Sequence, residues 1–127
     1  MEGDVRDASV RLNPAQPPPG TVLCRVDDLA DPGARGFYFR ADDMLFHGFL
    51  VRRRGEVFGY VDRCPHAGTP LAAVGDRYLT REGDLILCGT HGALFRPQSG
   101  LCIGGPCAGQ SLTPWPITVA DGEVFTA

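Results

Sequence analysis

Apolar and polar positions alternate over short stretches along most of the chain, and no stretch keeps a convincing helical period. Val22, Cys24 and Val26 alternate with other residues, which predicts a strand starting near Thr21. Residues 37–40 form a short aromatic run, Ala41-Asp42-Asp43 reads as a hairpin turn, and Met44–Arg53 reads as the returning strand. Arg54-Gly55 is a second turn, leading into Glu56–Val61. Further strands are predicted over residues 84–87, 93–96, 112–120 and 123–126, with turns at Glu82-Gly83, Ser99-Gly100 and Asp121-Gly122. The best helical candidate is a single turn over residues 71–74. Residues 1–20, with Pro14, Pro17, Pro18, Pro19 and Gly20, predict an extended or disordered leader, because proline cannot donate to a ladder. The pattern places one domain over residues 21–127 and makes it all-β, an antiparallel sandwich or barrel.

Composition narrows the partners. The 127 residues are 43% hydrophobic, ordinary for a globular domain, and 17 glycines and 11 prolines favour turns and short strands. Arginine supplies all 12 basic charges against 15 acidic ones, a net charge of −3. Binding nucleic acid needs surplus positive charge, so no nucleic-acid partner is expected. No apolar run approaches the roughly 18 residues of a membrane span, so no membrane partner is expected either. The opening Met1-Glu2-Gly3-Asp4 lacks the basic start of a secretory signal. A cytoplasmic, reducing setting is expected, where the 5 cysteines serve as metal ligands or buried thiols.

Two segments carry the chemistry. Cys64-Pro65-His66-Ala67-Gly68-Thr69-Pro70 and Cys88-Gly89-Thr90-His91-Gly92-Ala93 each pair a cysteine with a histidine at short spacing, and two of the chain's 3 histidines lie in them. Both follow strand-like runs, so both are predicted to be loops at strand ends. Two thiolates and two imidazoles suit tetrahedral zinc. They equally suit an iron–sulfur cluster in which two histidines replace two cysteines on one iron. The third reading is that these are unrelated core residues. Gly68, Gly89 and Gly92 weigh toward the cluster, because its sulfides need close backbone N–H donors.

The paired boxes, with Gly105-Pro106 shortly after the second, resemble the Rieske family over residues 21–127, and most of all its small stand-alone ferredoxins. The resemblance implies a Rieske-type antiparallel β-sandwich with a cluster-binding subdomain over about residues 63–106. It implies one [2Fe–2S] cluster per chain, one iron on Cys64 and Cys88 and the other on His66 and His91. Relatives in respiratory complexes carry an extra cysteine in each box, forming a disulfide; Thr69 and Thr90 stand there in this chain. High-potential relatives also use a serine and a tyrosine to donate to cluster sulfur; here Ala93 and Phe95 occupy those positions and cannot donate. A low-potential carrier is therefore expected.

The function implied is soluble electron transfer, one electron at a time, between a flavin reductase and an oxygenase or similar terminal enzyme. The chain would be a monomer or weak oligomer, with no residue catalysing chemistry on a substrate. The alternatives are a small subunit of a multicomponent enzyme, of the ring-hydroxylating oxygenase or assimilatory nitrite reductase type, and a redox sensor using Cys102 and Cys107. Those two cysteines, flanking the Gly-Pro loop, read first as small apolar fillers. Cys24 reads as core, Trp115 as packing, His47 as a strand residue without a ligand role, and Arg52-Arg53-Arg54 as a solvated hairpin end.

Overall fold

The computed structural model describes residues 13–65, 68–72, 75–89 and 92–127. They form nine strands: β1 Val22–Arg25, β2 Gly33–Ala41, β3 Met44–Arg53, β4 Glu56–Val61, β5 Ile86–Leu87, β6 Leu94–Phe95, β7 Cys102–Gly104, β8 Ile117–Ala120 and β9 Glu123–Thr126. All pairing is antiparallel, in three sheets ordered β1-β9-β8, β2-β3-β4 and β5-β6-β7.

The middle sheet is covered on both faces, and β3 shows why its sequence loses the polar half of the alternation. Phe46 and Leu50 point into one core with Cys24, Leu29, Trp115 and Val124. Phe49 and Val51, one residue out of phase, point into a second core with Tyr60, Ile86, Phe95 and Cys102. The first core is the sandwich proper, closed by β1, β8 and β9. The second joins the middle sheet, whose β4 leads into the first Cys-His loop, to the small sheet β5-β6-β7, whose β5 leads into the second. Trp115 is 2% exposed and meets Phe37, Phe39 and Phe46 edge-on or tilted, so it packs as expected.

Several details differ from the sequence pattern. Val26 leaves the strand and opens a single 3-10 turn, Val26–Asp28. Asp28 draws the chain round by accepting a hydrogen bond from the backbone N–H of Arg25 at 2.9 Å. The stretch 112–120 is strand only from Ile117, because Pro114 and Pro116 cannot join a ladder; Pro114 makes one isolated bridge to Tyr60. Strand β7 lies in a glycine-rich segment with no strand signal. No helix occurs over the described part of residues 71–74; Ala73 and Val74 lie outside the described residues.

The proline-rich start is also corrected. Residues 13–20 are packed onto the domain rather than free of it. Ala15 is 5% exposed and sits in the first core, and Pro17 is buried. The Asn13 side chain donates to the Leu45 carbonyl at 2.9 Å. The Gly20 N–H donates to the Thr126 carbonyl at 2.8 Å, and the Thr126 hydroxyl to the Pro18 carbonyl at 2.7 Å. Proline cannot pair in a sheet, but its carbonyl still accepts and its ring still fills a groove. Residues 1–12 lie outside the described residues.

Candidate metal centre

Strand β4 ends at Val61 and feeds the first Cys-His loop; β5 ends at Leu87 and feeds the second. The two loops have the same backbone hydrogen bonds. In the first, Cys64 N–H donates to Thr69 O at 2.8 Å and Gly68 N–H to Cys64 O at 2.7 Å; in the second, Cys88 N–H donates to Ala93 O at 2.8 Å and Gly92 N–H to Cys88 O at 2.9 Å. Each loop thus closes five residues on, and the glycine four residues past each cysteine lies in the left-handed region, φ 72° at Gly68 and 74° at Gly92. That conformation is why glycine stands at both places. Gly89 N–H donates to Leu71 O at 2.8 Å and ties one loop to the other.

The cysteines lie inside, and the described glycines of both loops lie at the surface. Cys64 and Cys88 are each 0% exposed and belong to the same core. Gly68, Pro70, Gly89 and Gly92 are exposed, as are Gly105 and Pro106 of the loop after β7. That third loop lies directly on the second: a Cβ at Gly105 would come within 2.8 Å of the Ala93 Cα. Side chains 93 and 95, both fully buried, are Ala and Phe, with no hydroxyl to offer. Of the four candidate ligands, the structure places Cys64 and Cys88 in one core. His66 and His91, like Thr90, lie outside the described residues. Among the described residues no cysteine is in a disulfide.

Sequence reasoning missed the polar network behind the first loop. Asp62 is 6% exposed. Its carboxylate accepts the Leu71 N–H at 2.7 Å and the Tyr78 hydroxyl at 2.7 Å, and lies 2.9 Å from His47 Nε2. It therefore clamps the start of the loop to its end, accepting from the Leu71 N–H and the Tyr78 hydroxyl with the His47 ring alongside. Burial holds the His47 pKa below its ordinary value, against the opposing pull of Asp62 and Asp76. Burial, with the bond to Asp62, pushes Tyr78 far above the usual phenol range. An acid immediately after an apolar strand, two residues before the cysteine, is the only sequence signal for this clamp.

Cys102 and Cys107 are buried, as the filler reading expects, and Cys24 is core. The two Sγ atoms lie 3.0 Å apart, with Cys107 donating to Cys102. Burial first, and then the sulfur of Cys102, push the Cys107 pKa up to about 12.

A family model for the Rieske [2Fe-2S] domain matches residues 20–120. The chain belongs to the Rieske [2Fe–2S] family. Its sequence is 32% identical, over 81% of this chain and 89% of the relative, to a 3-phenylpropionate/cinnamic acid dioxygenase ferredoxin subunit of Photorhabdus laumondii subsp. laumondii. The solved Sphingomonas yanoikuyae B1 ferredoxin is 27% identical with a TM-score of 0.61, covering 83% of this chain and 94% of that one. A carbazole-bound oxygenase and ferredoxin complex of carbazole 1,9a-dioxygenase superposes with a TM-score of 0.68 at 18% identity. It covers 84% of this chain, which spans only 27% of the matched chain. Rieske architecture accounts for the fold: an antiparallel sandwich with a small third sheet, the two box-bearing loops leaving β4 and β5. Among the described residues no helix is long and apolar enough to cross a membrane.

Proposed function

We propose that this Rieske protein is a one-electron carrier, passing electrons from a flavin reductase to an oxygenase or similar terminal enzyme, and is not itself a catalyst. Cys64 and Cys88 would hold one iron of a [2Fe–2S] cluster, and His66 and His91 the other. When bound, the cluster supplies a reversible one-electron couple.

The observation that carries this reading is the shared backbone form of the two loops. Two fully buried thiols are offered by loops with the same pair of hydrogen bonds and the same left-handed glycine. That is a donor set built twice within one core, which unrelated core cysteines have no reason to show. The chain's own residues do three things. The core around Cys64 and Cys88 keeps water from the sulfurs, the Leu71–Gly89 bond fixes the loops against each other, and the exposed glycines and prolines beside them let a partner approach closely. Such a surface suits brief docking of modest area. The relatives of matching length are ferredoxins, which favours a separate carrier over a detached catalytic domain. Cysteines outside any disulfide support a cytoplasmic setting.

Iron and acid-labile sulfide analysis of single variants tests the ligand set. Cys64→Ala, His66→Ala, Cys88→Ala and His91→Ala should each lose the intact cluster, whereas Cys24→Ser should retain it. Full iron and sulfide in any of the four would remove that residue from the set.

A further inference from the structure

Among the described residues two buried side-chain polar atoms have no hydrogen-bond partner, Arg52 Nε and Thr69 Oγ1. Arg52 Nε lies 3.7 Å from the Asp31 carboxylate, and Arg52 Nη1 donates to the Val26 and Leu29 carbonyls, so that side chain is held in place. Thr69 Oγ1 lies inside the first Cys-His loop, on a backbone that is fixed against the candidate ligand Cys64. The Thr69 carbonyl accepts the Cys64 N–H at 2.8 Å, and the Cys64 carbonyl takes the Gly68 N–H at 2.7 Å. A buried hydroxyl without an acceptor costs free energy, and valine would fill the same space without that cost. An orphaned hydroxyl at this place therefore points to an acceptor that the bound group brings with it.

We propose that the Thr69 hydroxyl donates to a sulfur of the bound cluster and favours its reduced state. This rests on the reading of Cys64 as an iron ligand. The acceptors that a cluster adds to this loop are sulfurs bearing negative charge, and a hydroxyl donates more strongly to a charged acceptor than to a neutral one. Reduction adds further negative charge there, so the bond strengthens on reduction. Ala93 and Phe95, on the side of the second loop, have no donor to offer. Thr69 thus supplies from the first loop part of what a hydroxyl at 93 or 95 would supply from the second. It is a tuning residue that leaves the ligand set unchanged.

The test uses the cluster-loaded protein, with iron and sulfide content measured for each variant. Thr69→Val keeps the shape and removes the donor; Thr69→Ala removes the donor without adding a methyl group. Both should shift the reduction equilibrium against the reduced form by roughly three- to tenfold, tenfold being about 59 mV for one electron. Thr69→Ser should stay close to the wild type, which a purely packing role for the threonine methyl would not produce. Resonance Raman spectra in H2O and D2O read the bond itself: an iron–sulfur stretching band should shift on deuteration in the wild type and in Thr69→Ser, and shift less in Thr69→Val and Thr69→Ala. Potentials of Thr69→Val and Thr69→Ala equal to the wild type overturn the proposal, as do deuterium shifts that are the same in all four proteins; the hydroxyl then serves an ordered water or a carbonyl instead. Failure of the underlying reading looks different: Cys64→Ala would keep a complete cluster.

Discussion

At the scale of the residue, two kinds of position set the centre's properties. The first is the pair Ala93 and Phe95, buried beside the second loop without a hydroxyl between them. A hydrogen bond to a charged group is worth about 1.5–3 kcal/mol, of which only part differs between redox states. A tenfold change in a one-electron equilibrium is about 59 mV, so Ala93→Ser and Phe95→Tyr should each raise the potential by tens of millivolts. Protein-film voltammetry of the wild type should place it toward the lower end of the Rieske range of about −150 to +300 mV. A wild-type value well above +100 mV would contradict this. The second kind is His47, which burial keeps neutral beside Asp62. Its folded pKa lies below the ordinary 6.5, so below that pH the unfolded chain binds the extra proton. The contribution of His47 to stability is therefore fully present above pH 6.5 and is lost as pH falls through the lower folded value. Urea unfolding of wild type and His47→Gln between pH 7 and 5 should show a steeper acid loss in the wild type; parallel curves would show that His47 is not held neutral.

At the scale of the element, the sequence is most informative where local physics dominates. The hairpins at Asp42-Asp43, Arg54-Gly55 and Asp121-Gly122 fold where the turn residues say, with φ 55° at Asp42, 52° at Arg54 and 52° at Asp121. It is least informative where a distant partner decides. Cys102-Ile103-Gly104 is a strand only because Leu94 and Phe95 lie beside it. Residues 13–20 carry too little apolar surface to announce packing, yet Ala15 reaches the core and Thr126 takes the Pro18 carbonyl. Removing residues 1–17 should therefore lower the thermal midpoint of the cluster-loaded protein by several degrees, about what a loss near 1 kcal/mol produces in a domain this size. An unchanged midpoint would show that the segment adds nothing to stability.

At the scale of the whole molecule, the two cysteine–histidine boxes were legible because ligand spacing is local, and so was the all-β class. The alignment of the two loops was not. It depends on the Leu71–Gly89 bond, on Asp62 bridging Leu71 and Tyr78, and on Gly105 lying against Ala93, contacts that only the assembled fold creates. The sandwich is the base from which β4, β5 and β7 lead into three loops that lie against one another, with sulfur inside and glycine outside. On this reading these loops hold a histidine-ligated [2Fe–2S] cluster. Electron paramagnetic resonance of the dithionite-reduced protein tests it most directly. A Rieske-type signal integrating to one unpaired electron per chain is expected. A reduced protein that is silent and contains bound zinc would contradict it.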